Sequence, residues 1–131
     1  MSTIEIRERL VGAAAVIYPG PYLNQLRGER IERRCLEMLH DGIRNLVINF
    51  EETELINSIG ISLLLGVIEA VDESEGKVIL TNLNSSNREL FEVLGILSRV
   101  EILGTEEGAL ASLVRSPTGC DQPDEGSDIL D

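Results

Sequence analysis

The sequence predicts a single α/β domain with a mostly parallel sheet of four to five strands and about four helices. Short apolar runs alternate with stretches of helical periodicity, in the order β, β, α, β, α, β, α, β, α. A helix between successive strands implies right-handed crossovers and parallel pairing. The first two strands have no helix between them, so they predict a hairpin that adds one antiparallel strand.

The chain begins with the predicted hairpin. Thr3 to Arg9 alternates isoleucine with charged residues, as a half-buried strand does. Leu10 to Tyr18 is an apolar run that would form the second strand. Pro19 and Pro21 then stop the ladder, because proline has no N–H to donate.

The next predicted element is a helix from Asn24 to Asp41. Asn24 is a typical N-cap, and Gly42 supplies the C-terminal stop. Its outer face mixes basic and acidic residues: Arg27, Arg30, Arg33, Arg34, Glu29, Glu32 and Glu37. A solvated face is the simpler interpretation of this pattern, and a docking stripe is the alternative.

The centre of the chain is a buried strand, Asn45 to Phe50, followed by a polar loop and a helix that opens at Asn57 and Ser58. The helix is apolar except for a stripe of small or polar residues on one face: Ser62, Gly66, Glu69 and Glu73. Ser58 lies four residues before Ser62, so its hydroxyl is expected at the exposed start of a buried helix. Taken by itself, Ser58 is expected to be an N-cap.

Four further elements complete the predicted domain. Lys77 to Thr81 is a buried strand, and Val100 to Leu103 is a short last strand. The sequence from Ser86 to Glu89 has the spacing of a capping box and predicts the start of the third helix, which Gly95 ends. A fourth helix opens at Thr105 and extends through Val114.

The predicted domain comprises residues 1–115, and residues 116–131 form an acidic tail. The tail contains five acidic residues and no basic one, and it lacks periodicity. Such a composition is typical of a disordered segment. Ile129-Leu130 could form a short peptide ligand, but an inert terminus is the simpler interpretation.

Charge favours protein partners over nucleic acids and membranes. The net charge is −12, whereas binding to phosphates requires clustered cations. No run of 18 apolar residues is present, and Glu5 and Glu8 lie where a signal peptide would be cationic and then apolar. We therefore expect a cytoplasmic protein that binds neither nucleic acid nor a membrane interior.

Neither a metal, a cofactor nor catalysis is expected. Cys35 and Cys120 have no metal-ligand spacing, so two reduced thiols are the simplest interpretation. His40 is the one histidine, and it belongs to no Ser/His/Asp set. The sequence also has no GxSxG, HExxH, CxxC or phosphate-binding GxxxxGK[ST] motif. These features favour a noncatalytic protein.

The segment Ile56-Asn57-Ser58-Ile59-Gly60 resembles the motif of a known family. A strand that leads into an Asp-Ser-Ser/Thr-Gly turn and an apolar helix is similar to the STAS domain of bacterial anti-sigma-factor antagonists. The resemblance covers nearly all of residues 3–115. It implies a regulator that binds an anti-sigma factor, typically a serine kinase of the GHKL type, and so frees a sigma factor. Ser58 matches the serine that the partner kinase phosphorylates in that family.

The resemblance also implies a partner surface at the start of the central helix, with the loop from Pro19 to Asn24 beside it. Its candidate residues are Asn24, Asn57, Ser58, Ile59 and Ser62. A phosphate on Ser58 would add about −1.5 to −2 charges where a helix N-terminus favours anions, so the partner would leave while the domain stays folded. Ser62 and, less favourably, Thr53 are fallback phosphate acceptors.

Two alternatives stay open. Asn57 and Asn24 stand where the family usually has aspartate, which fits a constitutive STAS adaptor of an ABC-type lipid transporter or of a stress-sensing scaffold as well as it fits a switch. Three acidic residues before the helix, Glu51, Glu52 and Glu54, also oppose a phosphate on Ser58 unless they point away or a partner compensates them.

The second open alternative is self-association of the domain as a homodimer.

Overall fold

The computed structural model describes residues 6–115. The strands in this range are β1 (Arg7–Val11), β2 (Ala14–Tyr18), β3 (Tyr22–Leu23), β4 (Asn45–Asn49), β5 (Leu55–Ile56), β6 (Lys77–Thr81) and β7 (Glu101–Leu103). The helices are α1 (Gln25–His40), α2 (Ser58–Glu73), α3 (Ser85–Val93) and α4 (Glu106–Arg115), with a 3-10 turn at Ile96–Ser98. The predicted tail, residues 116–131, lies outside the described residues, as do Thr3, Ile4 and Glu5 of the predicted first strand.

Within the described range, one sheet contains five strands in the order β1-β2-β4-β6-β7. β1 pairs antiparallel with β2, and every other neighbouring pair is parallel. Helices cross between the parallel strands, as they must when the strands point the same way. The predicted fold class, an α/β domain with a mixed sheet and four helices, is confirmed for residues 6–115.

Alternate residues of the central strands enter two apolar clusters on opposite faces of the sheet. The larger cluster joins one set of strand residues, such as Ile17, Ile48 and Leu80, to α1, α2 and Phe91 of α3. The smaller cluster consists of Val16, Val47, Ile79 and Ala109 and lies under α4. Parallel strands are buried on both faces in this way, which explains their continuous apolar sequences.

α1 and α2 pack side by side and run in the same direction. Gly28 of α1 faces Leu63, where a Cβ at residue 28 would lie 2.7 Å from the Leu63 Cδ1 atom. One turn further along both helices, Gly66 of α2 lies beside the carboxylate of Glu32. Each helix follows a parallel strand, so both begin at the carboxyl edge of the sheet.

Two predicted boundaries are wrong. The hairpin turn lies at Gly12 and Ala13, so β1 extends past Arg9 and β2 starts at Ala14 instead of Leu10. Gly12 has φ +60, a left-handed conformation that glycine adopts without strain. The third helix is capped by Asn84, whose side chain accepts the Asn87 N–H at 2.8 Å, and not by Ser86.

A second sheet was not predicted. It consists of β3 and β5, two residues each, paired in parallel with Tyr22 opposite Leu55. It joins the loop after β2 to the segment before α2. In the part of the chain that the structure describes, no helix has both the length and the apolar character required to cross a bilayer.

Candidate functional site

Residues 57–60, which we call the α2 head, form the start of the central helix. Asn57 has an extended backbone, and its Oδ1 atom accepts the N–H of Gly60 at 2.7 Å. Asn57 is therefore the N-cap, and the prediction that Ser58 caps the helix is wrong. Ser58 is the first helical residue, because the chain enters helical geometry only after the cap.

The side chains of Ser58 and Ile59 are both exposed, and Ile59 retains 48% of its accessible surface. Among the hydrogen bonds of residues 6–115, none uses the backbone N–H of Ser58 or Ile59 as donor. Unpaired N–H groups at a helix start, together with the helix dipole, favour a negative charge. The α2 head thus offers a hydroxyl, an apolar side chain and two N–H donors on one exposed turn.

The loop from Pro19 to Asn24 is hydrogen-bonded to the residues that precede α2. The Pro21 carbonyl accepts the N–H groups of Glu54 and Leu55, at 2.9 and 3.2 Å. The Leu23 carbonyl accepts the N–H of Asn57 at 3.0 Å. These bonds fix the loop against the α2 head and account for the short β3–β5 sheet.

Gly60 allows the loop to contact α2 directly. A Cβ at residue 60 would lie 2.3 Å from the carbonyl oxygen of Leu23 and 2.9 Å from its carbonyl carbon. Real side chains do not approach backbone atoms so closely. The glycine of the predicted motif is therefore required by packing, because Leu23 occupies the space that a side chain would need.

Asn24 caps α1 just as Asn57 caps α2. Its Oδ1 atom accepts the Arg27 N–H at 3.0 Å. Since α1 and α2 begin at the same edge of the sheet, the structure brings Asn24, Asn57, Ser58 and Ile59 to that edge. Ser62 lies one turn further along α2 and is exposed.

Sequence reasoning missed the apolar residues at this edge. Tyr22, Leu26 and Leu55 retain 41%, 49% and 63% of their accessible surface. The hydroxyl oxygen of Tyr22 accepts the side-chain amide of Asn57 at 3.3 Å, so Tyr22 contacts the cap itself. The sequence signal that could have identified this surface is the position of Tyr22, an aromatic residue between the prolines and the cap residue Asn24. Exposed apolar side chains that are grouped on one surface, as at this edge, are typical of a protein-binding surface.

Thr53 is not an accessible phosphate acceptor. It is 2% exposed, and its hydroxyl donates to the Gly20 carbonyl at 2.7 Å. The suggestion of Thr53 as a fallback acceptor is therefore wrong. The neighbouring acidic residues, Glu51, Glu52 and Glu54, are exposed, and Glu52 forms a 3.4 Å ion pair with Arg7.

A separate polar cluster anchors α4 to the sheet. The Glu106 carboxylate accepts hydrogen bonds from the Tyr18 hydroxyl at 2.6 Å, from the Asn49 side-chain amide at 2.9 Å and from Arg9. Burial raises the pKa of Glu106, but the hydrogen bonds outweigh burial and the net pKa is lowered. Burial, followed by the hydrogen bond to Glu106, raises the pKa of Tyr18. Each donor has a partner, so the cluster is an anchor for α4.

The remaining reactive groups do not gather at the α2 head. Burial raises the pKa of the Cys35 thiol to about 12, which makes the thiol a core group. His40 is exposed at the opposite end of α1. Within residues 6–115, no three histidine, cysteine, aspartate or glutamate side chains are grouped as metal ligands would be.

Comparison with known proteins identifies a family model and a curated relative. The family model of the STAS domain matches residues 9–109. BtrV of Bordetella bronchiseptica, whose name marks it as a candidate anti-sigma factor antagonist, is 27% identical over 90 residues, covering 69% of this chain and 78% of BtrV.

The fold is similar to that of solved antagonist structures. The phosphorylated form of SpoIIAA, a Bacillus cell fate determinant, gives a TM-score of 0.70 at 22% identity, covering 83% of this chain and 99% of that one. A candidate anti-sigma factor antagonist from Thermotoga maritima gives a TM-score of 0.78 at 16% identity, covering 84% of this chain and 95% of that one.

Proposed function

Because the chain belongs to the STAS domain family, we propose that it is an anti-sigma factor antagonist. It acts by binding an anti-sigma factor, which in turn releases a sigma factor. The role is noncatalytic, and the partner is of the serine kinase type. The relative BtrV carries the name of such an antagonist, which supports the proposal.

The observation that carries the proposal is the composition of the exposed edge around the α2 head. Ser58 and Ile59 are exposed in the first turn, next to Tyr22 and Leu55. Asn24 and Asn57 cap the first turns of α1 and α2 at this edge. Apolar side chains supply contact area to a partner, and the serine at their centre supplies a position where one modification changes the whole surface.

Phosphorylation of Ser58 would act through electrostatics without unfolding the domain. The Ser58 side chain points away from the core, so a phosphate displaces no packed group. The two unused N–H groups of the α2 head favour the added charge of about −1.5 to −2. A partner packed on Ile59 would have to desolvate that dianion, and the contact would weaken.

The acidic residues before β5 define what the partner must provide. Glu51, Glu52 and Glu54 are exposed near the α2 head, and the net charge of the chain is −12. A cationic surface on the anti-sigma factor would complement them and would raise the association rate at low salt. The same acidic residues repel a phosphate on Ser58, and this repulsion within the chain is strongest at low ionic strength.

The test uses purified anti-sigma factors of the serine kinase type and measures their affinity for three forms of the chain. The forms are unmodified protein, protein with phosphoserine incorporated at residue 58, and a matched control with phosphoserine at Ser98, which is exposed at the far end of the sheet. We expect binding by the unmodified and Ser98 forms, and a loss of roughly 100-fold or more for the Ser58 form, corresponding to about 3 kcal/mol. Equal affinity of all three forms would refute the switch, and no binding by any form would refute the antagonist role.

A second candidate is a constitutive STAS adaptor, as in a lipid transporter or a stress-sensing scaffold. Asn57 favours it, because its uncharged side chain both caps α2 and donates to Tyr22. An ionised aspartate at this position could not donate to Tyr22 and could only accept from its hydroxyl. Stable association with a transport ATPase that is insensitive to phosphoserine at residue 58 would support this candidate instead.

A further inference from the structure

A chain of buried hydrogen bonds connects α3 to the α2 head. Thr53 is at its centre, in the turn between β4 and β5. The Thr53 hydroxyl donates to the Gly20 carbonyl at 2.7 Å, and the Thr53 carbonyl accepts the side-chain amide of Asn87 at 3.0 Å. Thr53 and Asn87 are 2% and 4% exposed, so loss of either bond would leave a buried polar group without a partner.

A second contact holds the other end of the same turn. Phe91 lies one helical turn after Asn87, on the same face of α3. Its ring packs edge-on against Phe50, with ring centroids 5.7 Å apart. The Phe50 carbonyl accepts the Thr53 N–H at 2.9 Å and closes the turn. α3 therefore contacts both ends of the turn from Phe50 to Thr53.

The bonds continue from the turn to the α2 head. Two carbonyl groups of the loop from Pro19 to Asn24 make these bonds. The Gly20 carbonyl accepts the Thr53 hydroxyl, and the Leu23 carbonyl accepts the N–H of Asn57 at 3.0 Å. The hydrogen bonds of this chain join residues far apart in sequence, and the loop backbone connects Gly20 to Leu23. A displacement of α3 would move the turn, then the loop, and then the cap that starts α2.

We propose that Asn87 is a positioning residue for the α2 head, and that α3 sets the conformation that this head presents to a partner. The proposal rests on the proposed function only in that the α2 head is taken as the partner surface. Asn87 contacts neither Ser58 nor the surface around it, and it acts through Thr53. The surface at the α2 head would therefore be changed in two ways, directly by modification of Ser58 and indirectly by a displacement of α3.

The test is residue-resolved amide hydrogen exchange in the isolated protein. The variant Asn87→Leu removes the donor to Thr53 and keeps a side chain of similar size. We expect exchange of the Leu55 and Asn57 amides to accelerate roughly tenfold relative to Val47 in the core, since one buried bond is lost. The matched control is Asn84→Ala, which removes the cap bond to the Asn87 backbone N–H and leaves the bond from the Asn87 side chain to Thr53 in place.

The control separates positioning from simple destabilisation of α3. With Asn84→Ala, faster exchange should be confined to α3 itself. If Asn84→Ala accelerates Leu55 and Asn57 as much as Asn87→Leu does, Asn87 merely stabilises its helix and the proposal is wrong.

A second variant approaches the chain of bonds from the other side. Thr53→Val removes only the hydroxyl that bonds Gly20, and the same acceleration at Asn57 is expected. It also carries the test alone if Asn87→Leu does not fold, and unchanged exchange at Asn57 would then overturn the proposal. Both measurements need no partner, so their failure is distinct from failure of the antagonist role.

Discussion

Replacing Gly60 by alanine should destabilise the domain, although the same change normally stabilises a helix. The new Cβ would lie 2.3 Å from the Leu23 carbonyl oxygen, so the loop and α2 must separate by about 0.7 Å to reach 3.0 Å. Both contacting groups are backbone, so neither can rotate away. Overpacking of this kind costs about 1 to 3 kcal/mol, against a propensity gain of up to about 1 kcal/mol. We expect a net loss of about 1 to 2 kcal/mol in the free energy of unfolding.

Gly66→Ala in the same helix is the matched control. A Cβ there would lie 3.0 Å from the Glu32 carboxylate, which is a flexible side chain that can move aside. Gly66→Ala should therefore be neutral or stabilising by up to about 1 kcal/mol. Urea unfolding of both variants measures the difference. If Gly60→Ala proves as stable as Gly66→Ala, the contact between the loop and the α2 head does not constrain the chain as we argue.

Three further predictions concern single groups. Asn57→Ala should lower the free energy of unfolding by about 1 kcal/mol and Ser58→Ala by less than about 0.5 kcal/mol, because Asn57 is the cap; equal losses in urea unfolding would contradict this assignment. Burial raises the pKa of the Cys35 thiol to about 12, so this thiol should react with a thiol reagent at pH 8 only as fast as the protein unfolds. The measurement uses a Cys120→Ser background, and rapid labelling of the folded protein would show that Cys35 is accessible. Burial raises the pKa of Glu106, but its hydrogen bonds lower it by more, so the pKa in the folded protein lies below the unfolded pKa of 4.5. The contribution of Glu106 to stability is therefore present above pH 4.5 and is lost as the pH falls through the folded pKa. Glu106→Gln should reduce the acid sensitivity of unfolding, and an unchanged pH profile would count against the cluster.

Elements with local end signals were predicted well from the sequence. α1 begins after the Asn24 cap and ends before Gly42, which has φ +101. α2 begins where the sequence predicted, because Asn57 can satisfy an N–H of the first turn on its own. Caps of this kind depend on residues three or four positions apart, and a sequence pattern captures them.

The hairpin boundaries were missed because composition does not reveal the turn. Leu10 to Tyr18 is apolar throughout, apart from one glycine, so nothing in the run separates turn from strand. Leu10 belongs to β1 and is 57% exposed, so it does not serve the core as its type suggests. The left-handed turn at Gly12 decides the register, and a single glycine is too weak a signal to place it.

The connections that shape the candidate site could not be predicted, because they link distant residues. β3 and β5 have two residues each, which is too short for any periodicity. The bond between Thr53 and Asn87 spans 34 positions. Asn84 and Ser86 are both suitable cap residues by type, so the sequence alone does not show that Asn84 is the cap or that Asn87 donates to Thr53.

The order of strands across the main sheet, β1-β2-β4-β6-β7, is also the order in which a ribosome would produce them. Each later strand joins the edge formed by the strand before it, and none has to enter between two strands already paired. Long-range pairing slows folding when strands far apart in the chain must meet, and this sheet limits that distance to one crossover at a time. A nascent chain can thus extend the sheet as it emerges, with the newest edge waiting for the next strand.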